Sequence, residues 1–210
     1  MLDDPYHVTG LIERLTRTLD PVDGPPPRPR RGDGDLNGAP SPTGRALRPA
    51  AVLAPLVMRE TGLSMVFTRR ADHLSAHAGQ ISFPGGRLNL GEAPVDAALR
   101  ESEEEIGLPR SKVQLIGRFD PYETVTGFQI TPFVGIVDPA AEFRADPGEV
   151  AEIFETPFDF LMNPANHVLE ERRFAGQLRR YYAMPHEGRY IWGATAGLLK
   201  ALADRFNALP

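Results

Sequence analysis

Residues 86–108 read GRLNLGEAPVDAALRESEEEIGL, and the order of residue types in this stretch decides the fold. Pro94 suits the first turn of a helix, where its missing N–H is not needed, and Gly107 suits the left-handed position just past a helix end. At about 100° per residue, Val95, Ala98, Leu99, Ser102 and Ile106 fall on one stripe that is expected to face a core. The stripe is apolar except for Ser102. Glu101, Glu104 and Glu105 stand at i, i+3 and i+4, so they are expected to project from a different face with converging carboxylates. Like charges so placed repel, most of all at Glu105 near the negative end of the helix dipole. A bound divalent cation would reverse the sign of that interaction, because hard cations such as Mg²⁺ choose oxygen ligands. For the glutamates taken alone, a solvated acidic helix face is the bland alternative.

The surroundings of the glutamates outweigh that alternative. Gly86, Glu92, Arg100, Glu101, Glu104, Glu105 and Gly107 reproduce the fixed positions of the Nudix box, a glycine–loop–helix–glycine signature. At average residue usage a chance match is on the order of 10⁻⁸ per starting position. Ser102 occupies a position where the box has a hydrophobic residue. The resemblance implies an α+β Nudix fold, a mixed β-sheet sandwiched between helices. It implies hydrolysis of a nucleoside diphosphate linked to another moiety, with Mg²⁺ or Mn²⁺ held by Glu101, Glu104 and Glu105. Such cations neutralise the diphosphate, stabilise charge on the leaving oxygen and lower the pKa of an attacking water. Arg100 is expected to orient a neighbouring glutamate by a bidentate contact. Glu92 would either join the metal environment or serve as a helix-start carboxylate.

Immediately upstream, residues 66–86 read VFTRRADHLSAHAGQISFPGG. The segment resembles the accessory motif of coenzyme A pyrophosphatases, with Thr68, Arg70, Ala71, Gly79, Phe83, Pro84, Gly85 and Gly86 at matching spacings. Arg70, Gly79, Phe83, Gly85 and Gly86 become the expected substrate-binding residues. Arg70 is the candidate for a phosphate contact, and Phe83 could equally be packing that leads into a glycine turn. Ser75 stands where the motif has a second arginine, so Arg69 or Arg70 would have to grip the phosphate in its place. Residues 124–135 (TVTGFQITPFVG) and 189–199 (RYIWGATAGLL) also resemble this subgroup. The implied reaction splits coenzyme A or an acyl derivative into 3′,5′-ADP and the phosphopantetheine half. The same resemblance suggests a homodimer.

A general base is expected in residues 146–157 (DPGEVAEIFETP), which offer Glu149, Glu152 and Glu155. Glu149, after Pro-Gly and before a strand-like run, is the choice, with Glu104 as the other candidate. Competing functions are a Nudix hydrolase for ADP-ribose, a dinucleotide or a nucleoside triphosphate, and a non-catalytic nucleotide-binding sensor on the same fold.

Working outward, residues 7–19 place apolar side chains at helical spacing, and residues 21–44 are dense in proline, glycine and arginine. Such a stretch buries too little apolar surface to offset its ordering entropy and reads as a linker. Residues 1–45 are therefore expected to form a helix and flexible arm, and residues 46–210 the catalytic domain. Strands are expected at 51–57, 63–68, 113–119, 130–137, 153–156, 172–174 and 178–183, and a final helix at 193–209. The net charge of -5 argues against a domain built to grip nucleic acid, leaving a small-molecule substrate as the expected partner. No run reaches the roughly 20 apolar residues that span a bilayer, so no membrane partner is expected. The N-terminus lacks the apolar core of a signal peptide. The absence of cysteine excludes disulfides and thiolate chemistry and suits a reducing cytoplasm. The histidines show no metal-ligand spacing, and Trp192 is expected in the core.

Overall fold

The computed structural model describes residues 5–24, 31–38, 46–74, 78–174 and 176–209. The first elements are α1 (Pro5–Thr18), β1 (Arg31–Gly32), α2 (Asp33–Asn37), β2 (Arg48–Arg59), β3 (Gly62–Arg70), β4 (Ile81–Ser82) and β5 (Gly85–Arg87). There follow α3 (Pro94–Ile106), β6 (Val113–Arg118), β7 (Tyr122–Glu123), β8 (Phe128–Val137), β9 (Val150–Pro157) and α4 (Phe158–Met162). The chain ends with β10 (Val168–Phe174), β11 (Gln177–His186), β12 (Arg189–Trp192) and α5 (Ala194–Ala208). Among the described residues no helix is long and apolar enough to cross a membrane.

Strand β2 organises the larger, mixed sheet. It runs parallel to β8 from Arg48↔Phe128 to Val57↔Val137, and antiparallel to both β3 and β5. Strand β9 lies antiparallel along the far edge of β3. The near-continuous apolar run of β2 follows from burial on both faces, because alternate side chains of a strand point opposite ways. Ala51, Leu53 and Val57 face a cluster with Ala97, Ala98 and Ile106 of α3. Ala54 and Leu56 face the other way, toward Leu15 of α1, Phe158 of α4 and Leu198, Leu199 and Phe206 of α5. The sheet is thus sandwiched between helices, the α+β architecture expected from the resemblance.

Helix α3 occupies the residues its end signals predict. Pro94 begins it, and Gly107 ends it at φ 64°, its N–H donating to the Glu103 carbonyl. Ser102, which broke the apolar stripe, is fully buried and donates its hydroxyl to the Ala98 carbonyl at 2.7 Å. Closing that bond inside its own helix removes the penalty of a buried, unpaired hydroxyl.

The stretch from residue 21 to 44 departs from the linker reading over residues 31–38. Arg31 and Gly32 pair parallel with Tyr122 and Glu123 of β7. Asp33 accepts from the Tyr122 hydroxyl at 2.8 Å and the Val125 N–H at 2.7 Å. Asn37 accepts from the Arg180 N–H at 2.8 Å and donates to the Arg180 carbonyl at 3.1 Å. Backbone pairing and side-chain clamps, which composition does not encode, hold this piece on the domain. Residues 25–30 and 39–45 lie outside the described residues.

Candidate active site

Two glycines bring the glutamates of α3 against the sheet. Gly85 lies opposite Val52 on β2, at φ 155°, and a Cβ there would stand 2.6 Å from the Val52 Cα. At Gly86 a Cβ would stand 2.5 and 2.6 Å from the two carboxylate oxygens of Glu101. With no side chains at Gly85 and Gly86, the carboxylates of the helix can lie on bare strand backbone there. The Gly85 N–H donates to Glu105 Oε2 at 3.1 Å.

Glu105 corrects an expectation. It was expected to converge with Glu101 and Glu104 on a face apart from the core stripe, yet only 6% of it is exposed, while the Glu104 side chain is 58% exposed and that of Glu101 17%. The three fan across about 100° of helix surface, and the rim of that arc turns into the glycine gap. Burial pushes the Glu105 carboxyl up to about 8, against the Gly85 N–H and with the Glu101 and Glu149 charges adding to the rise. Glu101 is also raised, first by burial, with Arg100 opposing and Glu104 and Glu149 adding. Excess negative charge in a low-dielectric gap favours whatever cation can enter it.

Arg100 is the cation already there. Its Nε and Nη2 donate to the two oxygens of Glu92 at 2.8 and 3.0 Å, and its Nη1 reaches Glu101 at 2.8 Å and Glu104 at 2.9 Å. The bidentate contact expected of Arg100 therefore falls on Glu92, with single bonds to the helix glutamates. The Arg100 guanidinium, helped by the Asn89 N–H, holds the Glu92 carboxyl down at about 2. Among the described residues no three acidic or histidine side chains are gathered closely enough to hold an ion as they stand. The donor set nonetheless fits a hard divalent cation, being all oxygen, partly desolvated and deficient in positive charge.

The loop after β8 brings Glu149 to the same place. Its carboxylate lies 3.8 Å from Arg70 Nη1, its carbonyl accepts from the Ala71 N–H, and its charge reaches Glu101 and Glu105. The other candidates on β9 are engaged elsewhere, Glu152 with Arg189 at 2.6 Å and Glu155 with Arg59 at 2.6 Å. Gly79, at φ 70°, closes the turn by donating to the Arg70 carbonyl. Ser75 lies outside the described residues.

Beside this cluster opens a cavity of about 580 Å³. Arg70, which faces Glu149, ties the cavity to the glutamates, while Val52, Ile81 and Phe83 line it from the core on the face of the sheet away from α3. Phe83 is 2% exposed and stacked on Phe67 with ring centroids 5.0 Å apart, so its main engagement is with the core. The wall also includes Asp33 and Asn37 of the N-terminal arm, Phe128 of β8, Leu198 of α5, and Arg179, Tyr181 and Trp192 of the smaller sheet. Trp192, expected in the core, is half-buried in this wall and meets the Tyr181 ring at 5.4 Å. These wall residues carry no periodic or charge signal in the sequence. The segments at 124–135 and 189–199 were noticed only for their resemblance.

The comparisons agree with this geometry. Residues 47–178 match the NUDIX domain family. The chain is 42% identical over 166 residues to the Nudix hydrolase NudL of Shigella flexneri, covering 78% of this chain and 85% of that protein. It is 39% identical over 165 residues to NudL of Enterobacter sp. (strain 638), with the same coverage. The crystal structure of the M. smegmatis Nudix hydrolase RenU covers 81% of this chain and 94% of its own, at 20% identity and a TM-score of 0.52, a likeness of fold. A glutamate-bearing helix laid on a glycine strand, a sheet between helices and this extent of identity together make the protein a member of the Nudix hydrolase superfamily.

Proposed function

We propose that this protein is a metal-dependent pyrophosphohydrolase that splits coenzyme A, or an acyl derivative, into 3′,5′-ADP and the 4′-phosphopantetheine half. The observation that carries the reading is one continuous run of chain. Residues 68–86, which resemble the coenzyme A pyrophosphatase motif, supply Arg70, Ile81 and Phe83 to the cavity and end in the glycines that seat Glu101 and Glu105. A cavity of about 580 Å³ is within the size range of small-molecule sites.

In this reading Glu101, Glu104 and Glu105 would hold Mg²⁺ or Mn²⁺, which would supply Lewis-acid stabilisation of the diphosphate and its leaving oxygen. Arg100 keeps the Glu101 and Glu104 carboxylates oriented through Nη1, and Glu92 anchors Arg100 from the other side. Arg70 grips a substrate phosphate from the cavity wall. Glu149, next to Arg70 and without the strong ion pairs that occupy Glu152 and Glu155, accepts the proton of the attacking water.

The test is product analysis with coenzyme A, ADP-ribose and NADH in the presence of Mg²⁺ or Mn²⁺. Release of 3′,5′-ADP from coenzyme A is expected, reduced roughly 10²–10⁴-fold in Glu104→Gln and in Glu149→Gln. Cleavage of ADP-ribose or NADH alone would keep the Nudix chemistry and sink the coenzyme A reading. Near-normal turnover by Glu149→Gln would remove that residue from the role of base.

A further inference from the structure

The cavity wall away from the glutamates carries a second cationic position. Of the arginines lining the cavity, Arg70 faces Glu149 and Arg180 donates to Glu171 at 2.6 Å. Arg179 also lines it, is half-buried, and among the described residues its side chain has no hydrogen bond or ion pair. Directly across the hairpin, its register partner on β10 is Arg172, so two arginines stand opposite each other on one face of the smaller sheet. On the same face Glu170 accepts from the Tyr181 and Tyr190 hydroxyls and is not paired with Arg179. Strand alternation puts Tyr181 on the face of Arg179, and Tyr181 meets Trp192 edge-on. Asn37 of the arm clamps the intervening Arg180 backbone through both its N–H and its carbonyl, which fixes the strand that presents Arg179.

We infer that Arg179 is the recognition residue for a phosphomonoester that the substrate carries away from its diphosphate, with the attached aromatic base lying against Tyr181 and Trp192. The ligand class is a nucleoside diphosphate derivative with a further phosphate on its ribose. This rests on the coenzyme A reading above and adds the basis on which this protein tells coenzyme A from substrates lacking that phosphate. A guanidinium matches a phosphate in shape and charge, and a half-buried one does so with little competition from water.

The test compares wild type, Arg179→Gln and Arg179→Lys on two readouts. Calorimetric titration with 3′,5′-ADP and with 5′-AMP should show wild type preferring 3′,5′-ADP. Arg179→Gln should weaken 3′,5′-ADP roughly tenfold or more, with 5′-AMP changed less than about twofold, and Arg179→Lys should restore part of the preference. The same substitution should raise KM for coenzyme A but not for 3′-dephospho-coenzyme A. Equal weakening of both ligands, or no weakening of 3′,5′-ADP, would overturn the inference and leave the hydrolase reading intact. Selective 3′,5′-ADP binding without cleavage of coenzyme A would overturn the hydrolase reading and keep Arg179 as the phosphate site.

Discussion

Gly86 measures how little space separates helix from strand at the glutamates. An added Cβ would overlap the Glu101 carboxylate, the far end of a side chain that can move, so the fold should survive while the carboxylate is displaced. Gly86→Ala is therefore expected to keep a melting temperature close to wild type and to lose roughly 10²-fold in kcat/KM, the effect of an ångström-scale misplacement. Unchanged kcat/KM would show that the Glu101 position is not critical. A second residue reports on pH. His167 is half-buried, with Nε2 2.7 Å from the Leu161 carbonyl and Nδ1 buried without a partner. Burial lowers its pKa, the Leu161 carbonyl opposing. A depressed folded-state pKa means that the unfolded chain binds the proton more readily. The stability is complete above the ordinary value of 6.5 and is lost as pH falls below it toward the folded-state pKa. The raised Glu105 carboxyl contributes the opposite slope in both proteins, so urea unfolding should show His167→Gln gaining stability relative to wild type as pH falls from 7 to 5. Parallel slopes for the two proteins would refute the assignment.

At the scale of elements, the N-terminal arm is part of the packed structure where it is described. Leu15 of α1 is fully buried in the cluster with α4 and α5, and Arg14 lies 4.6 Å over the Phe206 ring. Leu15→Ala should lower the unfolding free energy by about 2–5 kcal/mol, the range for a truncated core leucine. Deleting residues 1–45 should lower it further, because β1 and α2 are lost as well. A truncated chain as stable and active as the full one would reduce the arm to a tether. Helix α3 was legible because its signals are local: a proline start, a glycine stop and an apolar stripe. Strand β12 and helix α2 were not legible, since Arg189–Trp192 and Asp33–Asn37 owe their structure to β11 and β7 rather than to their own pattern.

For the whole molecule, if the partly buried carboxylates hold a divalent ion as proposed, stability should depend on the cation supply. A divalent ion at 100 times its Kd should stabilise the folded chain by about 2.7 kcal/mol, raising the melting temperature by roughly 5–10 °C for a domain of this size. The rise should vanish with EDTA and shrink in Glu105→Gln, as read by thermal melting with and without Mn²⁺. An equal rise in wild type and Glu105→Gln would exclude Glu105 from the ion's environment.

By itself the sequence determined the family, the glutamate helix with its boundaries and the five longer strands of the larger sheet. Each of these rests on spacing along the chain, and the periods of helix and strand convert spacing into faces without further information. Tertiary structure alone decided that Glu105 turns inward, because the gap it enters is made by Gly85 and Gly86 on another element. It decided that Glu149 rather than Glu152 or Glu155 stands by the glutamates, since the ion pairs that engage the other two join separate strands. It also decided that Asn37, Arg179 and Trp192, more than 140 residues apart at the extremes, share one cavity wall. Pairings across such separations depend on how strands are ordered in space, which no local pattern records.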